Sequence, residues 1–220
     1  MLRDAWLICR KDLRIEIRSH VVSNQVLPFS FVVLILFAFA FNEYPQLLTK
    51  IAPGLYWVAT LFAMIIAAQR SASIEMTNMT KSALAIYDIS PGGVYLGKLL
   101  AVVIQMILLE LVLAFEIVVL YGATLHAIPL LGATCIAATV GIAGVTTIVG
   151  AMISNSQRET LLPLLVLPVV APVLLSATVA WQDYLNSKIG VGNPWLGLLV
   201  VFAVVYCSVG TLVFGTVLEE

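Results

Sequence analysis

Long apolar runs separated by short polar intervals organise this chain. Residues 21–41 carry no charged side chain, and as a helix rising 1.5 Å per residue that run covers about 30 Å, the thickness of a bilayer's hydrocarbon core. Comparable runs cover about 53–68, 94–122, 128–153, 160–180 and 194–217. Six such runs predict six transmembrane helices, with Pro53-Gly54 opening the second run and Gly122 closing the third. The longest polar interruption is residues 70–93, RSASIEMTNMTKSALAIYDISPGG.

The first eighteen residues follow another rule. Leu2, Trp6, Cys9, Leu13 and Ile17 recur at helical spacing, while Arg3, Arg10 and Arg14 line the edge of that stripe. An apolar stripe with Trp and several basic residues predicts an amphipathic helix over 2–18 lying flat at headgroup level. The basic leader, the 21–41 run and Ala38-Phe39-Ala40 resemble a cleaved signal peptide only superficially, because the run is too long and the leader too regular.

Charge orients the array. With the N-terminus inside, Arg3, Arg10, Lys11, Arg14, Arg18, Arg70, Lys81, Lys98 and Arg158 face the cytoplasm, and only Lys50 and Lys188 face out. That asymmetry is what the positive-inside rule demands, and with six crossings it puts both termini in the cytoplasm. Composition agrees: 61% of residues are hydrophobic and 10% charged, so one multi-pass membrane domain over 1–220 accounts for the chain. A net charge of −1 leaves no bulk positive charge to suggest nucleic acid as a partner.

Few residues suggest chemistry. Gly92 through Lys98 has the glycine–lysine spacing of a phosphate-binding loop, but Leu99 stands where a Ser or Thr must hold magnesium and no strand precedes it, so Pro91-Gly92-Gly93 reads as a turn and Tyr95 with Lys98 as interfacial anchors. Glu110 and Glu116 fall inside the third span, where an ionisable side chain is costly enough to be a functional candidate. Six positions apart, they lie on different faces of the helix. His20 and His126 sit at span edges, with His126 a weak candidate metal ligand, and Asn78-Met79-Thr80 is a glycosylation sequon on the inner side. Cys9, Cys135 and Cys207 are too scattered for a disulfide framework or a zinc site. No metal or cofactor is expected on the chain itself. Ala133, Ala137 and Gly141, then Ala143, Thr147 and Ala151, predict close helix packing in the fourth span. Pro163, Pro168 and Pro172 predict a kinked or broken fifth span whose carbonyls at Leu164 and Pro168 lose their donors.

Three stretches resemble one known family: PQLLTKIAPGLYWVATLFAMIIAAQR at 45–70, the AL…P…VYLGKLL pattern at 83–100, and LLPLLVLPVVAPVLLSATVA at 161–180. Together with the basic N-terminal helix and the six-span layout they resemble the CcmB family, permeases of the cytochrome c maturation system within the wider ABC-2-type group. The resemblance implies a bacterial inner-membrane permease, working as a pair, that docks a separate CcmA-like ATPase on its cytoplasmic side. It also implies CcmC-like and CcmD-like membrane partners and a CcmE-like haem chaperone, with ATP bound by the ATPase and haem as the cargo of the complex. The interval after Arg70 corresponds to the coupling region, which makes Arg70, Ile74, Glu75, Met76, Met79, Lys81 and Leu84 the expected ATPase contacts. Glu75 is the sole acid between Arg70 and Asp88, sparser than the family's usual pattern. The competing expectation is a proton-driven secondary transporter with Glu110 as its carrier carboxylate.

Overall fold

The computed structural model describes residues 1–19, 24, 26–77, 90–125, 127–153, 158–185 and 193–219, and every regular element among them is helical. In chain order these are α1 (Leu2–Ser19), α2 (Leu27–Ala40), α3 (Pro45–Thr77), α4 (Pro91–Tyr121), α5 (Ile128–Met152), α6 (Arg158–Leu185) and α7 (Pro194–Glu219). Helices α3 to α7 are each long and apolar enough to cross a membrane, so the chain is an all-α integral membrane protein. α2 has 14 residues, about 21 Å of helix. Its preceding residue Val26 keeps helical angles (φ −73°, ψ −50°) and supplies no side-chain cap.

The bundle is built around α5, which packs against α3, α4, α6 and α7. Small residues make this crowding feasible. Thr139 and every residue from Gly141 to Thr146 are buried, and a Cβ on Gly141 would lie 3.2 Å from the Phe202 ring of α7. α7 runs parallel to α5, with Gly144 beside Tyr206, and antiparallel to α4, with Tyr95 against Gly210 and Pro91 beside Gly215. One end of the bundle therefore carries Ser90, Pro91 and Gly215. The opposite end carries the start of α3, Gly122 and the last turn of α6. Gly122 closes α4 in the left-handed region, φ +63°, where a side chain would be strained.

Outward faces of the spans are apolar, as hydrocarbon requires. Leu108, Leu111, Phe115 and Val119 form an exposed row on α4, and Val201, Val204, Val205 and Leu212 do the same on α7. α6 shows the same division. Leu162, Val166, Val170, Val173, Ala177, Ala180, Trp181 and Tyr184 make its buried stripe, while Leu164, Pro168 and Pro172 are exposed. Three prolines do not break this helix, which continues from Arg158 to Leu185. Placed on the outer face, Pro168 and Pro172 keep their rings out of the packed interior and leave the buried stripe intact.

Three local expectations are corrected. Pro53 lies inside α3, which starts two turns earlier at Pro45. Gly92 and Gly93 form the first turn of α4 and not a free turn: Ser90 is extended (φ −62°, ψ 128°) and Pro91 occupies the first helical position, where its missing N–H costs nothing. Tyr95 is fully buried, not interfacial. Its ring packs 5.5 Å from that of Phe214 and its hydroxyl donates to the Tyr206 carbonyl at 2.9 Å.

α1 seats on the beginning of α4. Ala5, Ile8 and Cys9 are buried in that contact, and a Cβ on Gly97 would fall 2.6 Å from both the Ala5 carbonyl oxygen and Ile8 Cβ. Only glycine lets the two backbones come this close. The apolar stripe predicted on α1 is thus divided: Cys9 faces the bundle, whereas Leu2, Trp6 and Ile17 stay exposed. Burial also pushes the Cys9 thiol above its ordinary pKa.

Asp4 pins the seat. Its Oδ2 accepts hydrogen bonds from the Ser90 hydroxyl at 2.7 Å and from the Ser90 N–H at 3.3 Å, and these, with the N-terminal ammonium, hold its carboxyl below the usual value. A lowered folded pKa means this contact is complete above about pH 4 and is lost as pH falls through the lowered value. Protection of the α1 amides, taken relative to their intrinsic exchange rate at each pH, should therefore fall on acidification below about pH 4, and an Asp4→Asn variant should lose that dependence.

Candidate functional site

The polar residues of the membrane interior converge on Glu110. Its carboxyl is 4% exposed although it sits in the middle of α4, and it accepts a hydrogen bond from the Thr139 hydroxyl of α5. Cys135 lies one helical turn earlier on α5. From α3, the Tyr56 hydroxyl donates to the Glu110 backbone carbonyl at 3.3 Å and lies 3.5 Å from Cys135 Sγ. Tyr56 in turn stacks on Trp181 of α6 with ring centroids 4.3 Å apart, and Trp57 meets both rings edge-on. Four helices are tied together by this knot: Glu110, Thr139 and Tyr56 find partners in it that lipid could not supply, while the indole N–H groups of Trp57 and Trp181 and the hydroxyls of Thr60 and Tyr184, one turn away, have none among the described residues.

Above the knot, at the end of the bundle where α3 begins, a cavity of about 310 Å³ is lined by Gln46, Thr49, Lys50, Thr124 and Gln182 among others. Gln182 donates to the Lys50 carbonyl across it at 3.4 Å. Pro53 forms part of the wall, so Tyr56 lies one helical turn beneath. The cavity therefore opens at the same end of the bundle, a helical turn away from the knot along α3. The arrangement joins helices rigidly and offers a carboxyl, a thiol and a phenol at one depth. No group of metal-ligating side chains occurs among the described residues.

Glu116, buried to 3% exposure, does not join this knot. Neither of its carboxyl oxygens has a hydrogen-bond partner among the described residues. Nearby on the same helix, Tyr121 donates its hydroxyl to the Leu34 carbonyl of α2 at 2.9 Å, which ties α2 to the bundle.

The expected ATPase contacts divide. Arg70, Ile74, Glu75 and Met76 fall on the last turns of α3, whose helical backbone runs on to Thr77, about 13 Å past Ala68. Met79, Lys81 and Leu84 lie outside the described residues, as do His20, His126 and the Asn78-Met79-Thr80 sequon. Gly92 through Lys98 is helical throughout, and no strand precedes it among the described residues, so it lacks the strand–loop–helix of a phosphate-binding loop. The three cysteines are free.

Sequence reading singled out Glu110 but missed Thr139, Tyr56, Trp57 and Trp181. The available signal was weak: Thr139 is one of four threonines scattered through the fourth span, and Tyr56-Trp57 follows Pro53-Gly54 within a span. Exchanging the carboxyl tests the knot. Glu110→Gln keeps an acceptor for Thr139 and should change stability by less than ~1 kcal/mol, whereas Glu110→Leu removes it and should cost ~1–3 kcal/mol in detergent unfolding.

Comparison with known proteins identifies this architecture. The family model described as CcmB protein matches residues 3–219, nearly the whole chain. The chain belongs to the CcmB family. Its similarity to curated CcmB-family relatives is uneven. It is 31% identical to heme exporter protein B of Escherichia coli K12 over 96 residues, 44% of each chain, so that match spans less than half of either protein. It is 28% identical to heme exporter protein B of Haemophilus influenzae Rd over 209 residues, 90% of each chain. Family membership and five long apolar helices together make it a multi-pass protein of the bacterial inner membrane.

Proposed function

We propose that this CcmB-family chain is the permease subunit of an ABC-type complex that handles haem for cytochrome c maturation. The observation that carries the reading is the family match over residues 3–219, with relatives named for haem export. In this reading a separate CcmA-like subunit binds and hydrolyses ATP, and the chain supplies the membrane part that moves. The end of the bundle carrying α1, Ser90 and Pro91 is cytoplasmic, since most basic residues gather there, and α2 completes six crossings.

Residues 70–93 are the coupling element. They connect the extended end of α3 to the first turn of α4, and that turn is held by α1 through Asp4 and Gly97. A partner pushing on Arg70, Ile74, Glu75, Met76, Met79, Lys81 or Leu84 would therefore move three helices together. The movement is read out as haem transfer or release of a CcmE-like chaperone, with CcmC-like and CcmD-like proteins alongside and two permease copies facing two ATPase halves.

The test is co-expression of the full chain with the ATP-binding subunit: stoichiometric co-purification supports the reading, and purification of the chain alone contradicts it. A proton-driven transporter using Glu110 is the competing reading, favoured by the depth of that carboxyl. It requires Glu110→Gln to abolish function with the ATPase present, whereas the permease reading requires that variant to work.

A further inference from the structure

The face of α1 turned away from the bundle carries a row of cations. Arg10, Arg14 and Arg18 follow one another at four-residue steps and, with Lys11, Leu7 and Ile15, line an open groove of about 390 Å³. Lys11 is engaged with Asp12 at 3.1 Å. The three arginines make no ion pair with the described residues, while Asp4, on the seated side, is spent on Ser90. Concentrating like charge on one helix face destabilises the isolated helix, so an anion bound there would relieve a standing repulsion.

We propose that this groove binds the phosphate headgroup of an anionic phospholipid, with Arg10, Arg14 and Arg18 as the ligands. Its depth is set by neighbouring side chains. Leu2, Trp6 and Ile17 project from the adjacent face, 83%, 62% and 71% exposed, and require hydrocarbon. Anchoring them puts the arginine row one helix radius higher, at the plane of the phosphates. Guanidinium forks match phosphate oxygens in pairs, and Leu7 and Ile15 give the groove an aliphatic floor suited to the glycerol and upper acyl carbons of a lipid. An acidic protein surface would find the arginines but would leave Leu2, Trp6 and Ile17 without a partner.

The experiment is native mass spectrometry of the full chain titrated with phosphatidylglycerol or phosphatidylcholine. Phosphatidylglycerol should be retained preferentially, and an Arg10→Gln, Arg14→Gln, Arg18→Gln triple variant should bind it on the order of 100-fold more weakly. Wild-type preference should also fade as salt is raised, a reading that needs no variant to fold. Equal retention of the two lipids, a salt-independent preference, or a triple variant that keeps the preference would overturn the proposal. So would full displacement of the lipid by free glycerol 3-phosphate, which would make the groove a soluble-phosphate site. Loss of a protein partner in the triple variant with the lipid preference intact would make it a protein-docking surface and overturn it equally.

Discussion

Replacing Trp181 with Ala is expected to cost ~3–5 kcal/mol, the usual penalty for emptying a buried aromatic site. The indole is 2% exposed, stacks on Tyr56 at 4.3 Å and meets Trp57 edge-on at 5.9 Å. In a membrane the void cannot be offset by returning the side chain to water, but the dispersion attraction that Tyr56 and Trp57 forfeit on the emptied side still counts. Tyr56 would then be free to leave the Glu110 carbonyl, so α3 should loosen against α4 as well as against α6. Thermal unfolding in detergent measures the size. Amide exchange measures the spread, with the faster exchange expected at the Pro45 end of α3 and the Tyr121 end of α4, and with α1 unaffected.

The reverse pattern is expected for Gly97→Leu. A side chain there meets the Ala5 carbonyl and Ile8 at 2.6 Å, and backbone cannot yield as a flexible side chain can. The cost of such overpacking is ~1–3 kcal/mol, and its natural relief is for α1 to lift off α4 while α4 to α7 stay assembled. Cys9 reports that movement directly, being fully buried under the seated helix. In a chain with Cys135 and Cys207 replaced by Ser, the labelling rate of Cys9 should rise roughly in proportion to the opening equilibrium, by about ten- to a hundredfold. Unchanged labelling would mean that α1 is not held through Gly97.

These two sites also show what could be read from the residues and what could not. Apolar runs placed the five long helices because a bilayer demands uninterrupted helices, and Gly122 marks an end for a backbone reason that needs no tertiary knowledge. Which way each span faces is another matter. On α6 both the buried stripe and the lipid face are apolar, so the period that orients a soluble helix carries little signal. Tyr95 next to Lys98 looked interfacial because aromatic and basic residues at a span edge usually are. Its burial depends on Gly210, more than a hundred residues later, leaving a groove for its ring. The convergence of Tyr56, Thr139 and Trp181 on Glu110 needs the rotation of three further spans, which no local pattern encodes. Glu110 stood out alone because a carboxyl at that depth is costly wherever its partners lie.

The proposed coupling role rests on residues 70–93 more than on any part of the packed bundle. Removing residues 74–86 from the full chain and measuring co-purification of the ATP-binding subunit tests it most directly, with Cys9 burial as the check that α1 and α4 remain seated. The account predicts that the shortened chain still inserts and folds but loses the ATP-binding subunit entirely. Retention of that subunit at the wild-type ratio would contradict it.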